Sequence, residues 1–294
     1  MLTLCSPGPD TSCFGCCPPI RPAHYDPLAF ASSLKREFVE HRHRFLADGP
    51  RSRPIVGFSC WALGYLDEKG RRIGCLLHPS RHGGRDLRFL TGYGDKCRRE
   101  MCLAAQSFAR LAPAGQTFWL TLARGLNSFY FSSPRSNSLF HVLLWGPALL
   151  ETLRIKAEQD GFTATELIWQ QPFLVNPGWS PRGHRFLFRL VVEVQASSPD
   201  APVKPLDRLG RGLWEKIRSL PEAVASGNRS PQAHYLHQLP LEEDFVDFLR
   251  VGLGWLHSTY HQACALQERI EELMPDFCGI ARIDHEDHEG HEEL

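Results

Sequence analysis

The chain has 294 residues, which is enough for one large domain or two ordinary domains with a buried core. Hydrophobic residues make up 43% and charged residues 22%, a composition typical of globular proteins and not of disordered chains. The 33 basic and 33 acidic residues cancel, so the overall charge attracts neither nucleic acid nor a membrane. No apolar run approaches about 18 residues and no secretory signal is readable, so we expect a soluble, cytoplasmic protein without a membrane partner.

The first predicted element is a loop over residues 5–27. Its six Pro, two Gly and four Cys leave little room for regular structure. Helical spacing of apolar residues then predicts a helix that starts at Pro27, with Asp26 as its N-cap, and runs to Leu46.

A hairpin and a further helix are predicted next. Two short apolar runs lie on either side of the turn at residues 67–70, which brings Cys60 and Cys75 together. The pattern over residues 96–111 is helical and carries two more cysteines.

Beyond residue 112 both kinds of secondary structure are predicted. Alternating or uniformly apolar runs favour strands, whereas spacings of three and four residues favour helices. A Pro- and Ser-rich stretch is the best linker candidate. The predicted elements are strands over 117–122 and 186–194, helices over 137–160 (kinked at Pro147), 206–224 and 241–274, and a linker over 196–205.

These elements predict an α+β protein. We expect a cysteine-rich metal-binding module over residues 1–112, a mixed α/β region over 113–195 and a helical region over 206–280. An acidic tail that contains histidines follows over 281–294.

Cysteines are concentrated in the first third of the chain. Eight of the ten lie before residue 103, and we predict that the other two, Cys264 in a helix and Cys278 in a turn, are not ligands. Cys13 and Cys16 form a CxxC pair, whose two intervening residues let both sulfurs face one point while backbone N–H groups donate to them. Metal binding is favoured over disulfides, thiol redox chemistry or no special role. The candidate ligands are Cys13, Cys16, Cys17, Cys60, Cys75, Cys97 and Cys102.

The order of these segments resembles the cysteine-cluster family of zinc- or iron-chelating proteins (the YkgJ-like family). That pattern has a Cys-rich loop ending in a vicinal pair, two cysteines around an acidic-Gly turn, and a final Cys-Arg after an Arg-rich stretch. The similar segments here are 13–17, 60–79 and 97–98. The resemblance covers about residues 5–102 and implies metal chelation, with Cys5 and Cys102 as compensating ligands or bystanders.

The identity of the metal is a close choice between an iron–sulfur cluster and zinc. One tetrahedral zinc takes four ligands and one cubane takes four thiolates, so eight cysteines exceed either need. Adjacent Cys16 and Cys17 cannot easily point at one tetrahedral ion, so one of them is either spare or serves a second metal. Sulfur ligands near Phe14, Phe58 and Trp61 suit both centres, and the iron–sulfur cluster is slightly preferred.

Histidine supplies two weaker candidates. His78 follows a cysteine by three residues, but we expect it to cap its turn. His285, His288 and His291 are spaced so that a helical tail could hold zinc or nickel, although a solvated acidic terminus is favoured.

Three classes of function remain, because the sequence carries no P-loop, GxSxG, HExxH or GxGxxG signature. The first is a metalloprotein with a structural or redox-sensing centre and a protein or small-molecule partner. The second is a metal-supported enzyme with its active site in residues 113–280. The third is a zinc-stabilised nucleic-acid binder that uses residues 1–110, where 17 basic and 10 acidic residues give +7. It is the weakest, because the whole chain has no net positive charge and no aromatic-basic platform.

Overall fold

The structure is a computed structural model, mostly helical with two small antiparallel sheets, which agrees with the α+β class. It describes residues 3–17, 27–99, 102–133, 136–196, 206–224 and 232–278. The chain divides into two compact units, residues 1–167 and 168–294. The first unit contains the whole predicted cysteine-rich module and much of the region predicted as mixed α/β.

The first unit opens with an irregular segment, as predicted, and continues with α1 (Pro27–Asp48). The helix begins at the predicted proline, because a first helical residue needs no N–H donor. Leu34 and Phe38, four residues apart, are fully buried on one face of α1. The expected N-cap, Asp26, lies outside the described residues.

The predicted hairpin is confirmed. Strands β1 (Leu63–Tyr65) and β2 (Ile73–Cys75) pair antiparallel. The turn between them is closed by the Asp67 carboxylate, which accepts the backbone N–H of Arg72 at 2.7 Å. Gly70 provides the left-handed backbone that the turn requires, at φ 64°.

The helix predicted over 96–111 is two helices, α2 (Gly94–Arg99) and α3 (Leu103–Arg110). Cys102 has an extended backbone and serves as the N-cap of α3, so a continuous helix is excluded at that point. The remaining helices of this unit are α4 (Pro113–Leu120), α5 (Ser128–Phe131), α6 (Leu139–Leu143), α7 (Pro147–Gln159) and α8 (Ala164–Gln170), which ends in the second unit.

Two expectations in this part of the chain need correction. The strand predicted over 117–122 is wrong, because Pro113 starts a helix that continues through it and the Thr117 hydroxyl donates to the Pro113 carbonyl at 3.0 Å. The helix predicted over 137–160 is α6 and α7. Gly146, at φ 87°, separates them, so Pro147 starts a new helix instead of bending one.

The strand predicted over 186–194 is also wrong, because this segment belongs to α9 (Pro181–Ala196). Its β-branched and aromatic residues are common in strands. The residues that are buried nevertheless follow the three- and four-residue spacing of a helix: Leu187, Phe188, Val191 and Val192. Wherever the structure describes residues 113–195 they form helices and connecting turns, so the mixed α/β region was wrongly predicted.

In the second unit, α9 packs against α10 (Leu206–Arg218), which is followed by α11 (Pro221–Val224). The helix predicted over 241–274 is interrupted, since Gly254 adopts φ 75°. Its parts are α12 (Glu243–Asp247), a π-helical turn (Phe248–Gly252), strand β4 (His257–Ser258), which pairs with β3 (His234–Tyr235), and α13 (Tyr260–Cys278). The predicted linker lies almost wholly outside the described residues, and the predicted tail lies entirely outside them.

A buried carboxylate joins α9 to α12. Arg182 binds Asp247 with two hydrogen bonds of 2.7 and 2.9 Å, and Arg185 donates to the same carboxylate at 3.1 Å. Among the helices that the structure describes, none is both long and apolar enough to cross a membrane.

Candidate metal centre

Helix α1 holds the segment that carries Cys60. One oxygen of the Glu37 carboxylate accepts the backbone N–H of Phe58, and the other accepts the Ser59 hydroxyl, both at 2.7 Å. Ser59 is itself buried. A carboxylate on the helix therefore fixes the chain directly before the cysteine.

The hairpin lies close against the same helix. His41 contacts the Leu63 carbonyl through Nδ1 at 2.8 Å. A Cβ at Gly64 would lie 3.1 Å from the Phe38 carbonyl oxygen, so a side chain there would push the strand away from α1. Cys60 and Cys75 are thus placed on a rigid support.

Serine hydroxyls attach the N-terminal loop to this support. The Ser12 hydroxyl accepts the backbone N–H of Ile73 at 2.7 Å and donates to its carbonyl at 2.8 Å. Ser128 and Ser132 accept the N–H groups of Ser12 and Phe14 at 3.0 and 2.9 Å. The loop is therefore fixed beside β2, which places its cysteines near the hairpin.

Four cysteines from three distant segments gather at the hairpin, and we call them the hairpin cysteines: Cys17, Cys60, Cys75 and Cys97. Cys17 and Cys60 pack against one apolar cluster, while Cys60 and Cys75 pack against a second. Their charges influence one another, since Cys97 and Cys75 act on Cys17, and Cys97 acts on Cys60 and Cys75.

The pKa of three of these thiols, Cys17, Cys60 and Cys75, is raised. Burial raises the pKa of Cys75 to about 11 and also raises the pKa of Cys60. The pKa of Cys17 is raised by its hydrogen bond with Cys16 and by burial. Each neighbouring thiolate adds to the increase, because like charges repel.

Backbone N–H groups oppose this effect. The backbone N–H groups of Ala62 and Leu63 lower the pKa of Cys60, and that of Leu77 lowers the pKa of Cys75, each two or three residues further along the chain. Such N–H groups lower a thiol pKa because they stabilise the thiolate. Such donors are a normal part of thiolate ligation in metal and iron–sulfur sites.

Arg88 supplies a positive charge beside the hairpin cysteines. Its Nη1 donates to the Cys97 carbonyl at 2.8 Å, and the Asp86 carboxylate holds the guanidinium at 2.8 Å. The charge acts on Cys75 and Cys97. A centre of four thiolates carries excess negative charge, which this guanidinium would offset.

The other four N-terminal cysteines form a second group, the loop cysteines: Cys5, Cys13, Cys16 and Cys102. Cys13 donates its backbone N–H to the Cys5 carbonyl at 3.0 Å. Cys5 is influenced by the charges of Cys16 and Cys102, and Cys16 also acts on Cys13 and Cys102. Cys16 also shares a hydrogen bond with Cys17, which links the two groups.

All seven predicted ligands, and Cys5 with them, belong to the first unit, and their joint ligation of a metal stays a prediction. Sequence reasoning had left Cys5 undecided, and it did not identify Arg88 or the serines that hold the loop. No spacing motif predicts the roles of Cys5, Arg88 or these serines, because the roles depend on contacts between distant segments. Within the described part of the chain, no three His, Cys, Asp or Glu side chains are already arranged to hold a metal ion. Ligation would require the thiols to move closer together.

The remaining candidates are histidines and the two C-terminal cysteines. His78 caps its turn as expected, with Nδ1 accepting the Ser80 backbone N–H at 3.3 Å. Cys264 lies in α13 of the second unit, as predicted. The backbone of Cys278 belongs to the same helix, so the predicted turn there is wrong. His285, His288 and His291 lie outside the described residues.

Comparison with known proteins identifies no relative. The chain matches no family model, no curated protein and no solved structure. The resemblance to the cysteine-cluster family therefore stays a prediction, and function is argued from the chain's own residues.

Proposed function

We propose that this chain is a cytoplasmic metal-binding protein in which Cys17, Cys60, Cys75 and Cys97 ligate one metal centre, structural or redox-sensing. The observation that carries this proposal is the packing of Cys17, Cys60 and Cys75 against two apolar clusters that share Cys60, while Arg88, whose charge acts on Cys75, donates to the Cys97 carbonyl at 2.8 Å.

The electrostatics of the buried thiols suit a cation site. Burial raises the pKa of Cys60 and Cys75, and neighbouring thiolates raise it further. A bound cation would reverse this balance, because it attracts thiolates and releases their protons.

An iron–sulfur cluster is favoured over zinc at this position, although four thiolates suit both. All four thiols are half-buried, and Cys17, Cys60 and Cys75 pack against apolar clusters that include Phe38, Trp61 and Leu77. Low solvent exposure and N–H groups near the sulfurs tune the reduction potential of such clusters. Structural zinc is the alternative.

The test compares metal content in three forms of the full chain purified without oxygen. Wild type, the C60S/C75S variant and the matched control C264S are analysed for iron, acid-labile sulfide and zinc, together with their visible spectra. We expect wild type and C264S to carry the centre and C60S/C75S to lose it. Equal metal content in all three forms would overturn the proposal.

A further inference from the structure

A cavity of about 490 Å³ lies among four segments of the first unit: the N-terminal loop, α1, the hairpin and residues 125–129. Its volume falls within the range of about 300–1,000 Å³ that is typical of sites for small molecules. Among the described residues that line it, none is a cysteine, so the proposed metal centre does not account for it.

Hydrogen bonds between distant segments form the base of the cavity. The Ser128 hydroxyl donates to the Arg71 carbonyl and accepts the backbone N–H of Ser12 at 3.0 Å. The Thr11 hydroxyl donates to the Leu126 carbonyl at 3.3 Å. Because these bonds join three separate segments, the cavity is formed before a ligand binds, as most ligand sites are.

Two aromatic side chains line the cavity, Tyr65 of β1 and Phe129 of α5. They are the ends of a chain of ring contacts that runs through the buried rings of Phe38 and Phe14, with centroid distances of 5.8, 5.6 and 6.1 Å. The core beneath them therefore fixes their positions. Rings held in this way offer an apolar surface against which a planar ligand packs.

The charged side chains at the cavity leave one positive charge unpaired. Arg71 and Asp10 form an ion pair of 2.7 Å. Lys35 is exposed, its ammonium lies 5.9 Å from the centre of the Phe129 ring, and no carboxylate among the described residues pairs with it. A lining with two basic groups and one acidic group attracts a ligand with one negative charge.

Asn127 adds an uncharged donor to the lining. Its Oδ1 accepts the backbone N–H groups of Phe129 and Tyr130 at 3.0 and 3.1 Å. The amide nitrogen is thereby left to donate at the cavity. A carboxylate suits an ammonium and an amide nitrogen together, because each of its two oxygens accepts hydrogen bonds.

We propose that this cavity binds a small aromatic carboxylate. The carboxylate contacts Lys35 and Asn127, and the ring packs against Tyr65 and Phe129. A phosphate monoester carries a charge of about −1.5 to −2 at neutral pH, which exceeds the single unpaired charge of the lining. The inference is independent of the proposed function, because it uses no cysteine and no metal.

The test titrates benzoate into the full chain labelled on its tyrosine rings, with NMR shifts as the measure of affinity and location. The signal of Tyr65 is assigned with Tyr65→Phe. Lys35→Gln is compared with wild type and with the control Arg36→Gln, which removes an equal charge from the next, also exposed, residue of α1, outside the cavity lining.

We expect benzoate to shift the Tyr65 signal and to bind wild type and Arg36→Gln with similar affinity. Lys35→Gln should bind it at least about three-fold more weakly, as for the loss of an exposed ion pair. The neutral analogue benzamide should bind wild type more weakly than benzoate.

Four results would each overturn the inference. They are an unchanged Tyr65 signal in wild type, equal benzoate affinity in Lys35→Gln and Arg36→Gln, equal affinity for benzamide and benzoate, and tighter binding of phenyl phosphate than of benzoate.

Discussion

The charge of Arg88 is the single-residue feature most closely tied to the hairpin cysteines. Its guanidinium reaches the Cys97 carbonyl and is held by Asp86, with only 19% of the side chain exposed. A charge so placed is screened less than one at the surface. It should stabilise a thiolate centre without being a ligand.

We predict that Arg88→Gln weakens metal retention at the hairpin cysteines by about ten-fold or more, as is typical when a residue that supports ligands is lost. Arg88→Lys keeps the charge, so its rate of metal loss should lie between those of Arg88→Gln and wild type. The rate of metal loss to a chelator measures the effect, with the exposed Arg85→Gln as control. Identical rates for Arg88→Gln and Arg85→Gln would contradict this role.

His184 makes the second unit sensitive to acid. Its ring is buried between Trp179 and Trp214, at centroid distances of 4.9 and 4.8 Å, and burial lowers its pKa. Below about pH 6.5 the unfolded chain therefore binds more protons than the folded one. The contribution of neutral His184 to the free energy of unfolding is fully present above that pH. It decreases as the pH falls toward the folded-state pKa.

We predict that His184→Gln reduces this pH dependence, because glutamine does not titrate. Urea unfolding followed by tryptophan fluorescence at about pH 7.5 and about pH 5 measures it. The loss of stability between the two pH values should be smaller in the variant than in wild type. An equal loss would show that His184 is not the responsible group.

Among the structural elements, the N-terminal loop depends on serine hydroxyls more than on apolar burial. Ser12 makes two hydrogen bonds to the backbone of Ile73, the strand residue that packs beneath the loop. These bonds determine where the loop cysteines lie relative to the hairpin. The position of Cys17 in the proposed centre therefore depends on this hydroxyl.

We predict that Ser12→Ala lowers the free energy of unfolding by about 1–3 kcal/mol, because it leaves a buried N–H of Ile73 without its acceptor. The variant should also release metal to a chelator faster than wild type. Ser138→Ala is the control, since Ser138 is exposed and its side chain makes no capping bond. Similar unfolding curves for both variants would contradict the prediction.

The sequence was most informative where local chemistry decides the structure. Pro27 marks the start of α1, and the Asp67–Gly70 turn determines the hairpin. The apolar run over 186–194 led to the wrong prediction of a strand, because a helix buried on several sides and a buried strand have the same composition. Only packing within the second unit distinguishes them.

The candidate site shows the same difference between local features, which the sequence predicts, and long-range contacts, which it does not. The CxxC pair and the hairpin indicated which cysteines meet, since turns bring nearby residues together. The backbone hydrogen bond between Cys5 and Cys13 joins residues eight positions apart, and no spacing motif encodes it.

At the scale of the whole molecule, both cysteine groups belong to the first of the two units. The second unit has a core of its own, in which Phe186 of α9 contacts the rings of Phe245 and Phe248 at 4.9 and 5.5 Å. The stability of the two units should therefore respond differently to metal.

We predict that chelation increases protease cleavage in residues 3–17 and leaves α10 and α13 protected. Metal binding contributes to folding free energy, on the order of 10 kcal/mol for a structural zinc site. Limited proteolysis followed by mass spectrometry locates the cuts. An unchanged cleavage pattern after the metal has been removed would contradict the coupling of metal and loop.

X-ray absorption spectroscopy at the zinc and iron edges, on wild type purified without oxygen, tests most directly whether this chain holds metal through its cysteines. We predict a first shell of four sulfur atoms for each metal, at about 2.3 Å for zinc. An iron–sulfur cluster would add scattering between iron atoms. A first shell of nitrogen and oxygen atoms, or a purified chain without bound metal, would contradict the assignment.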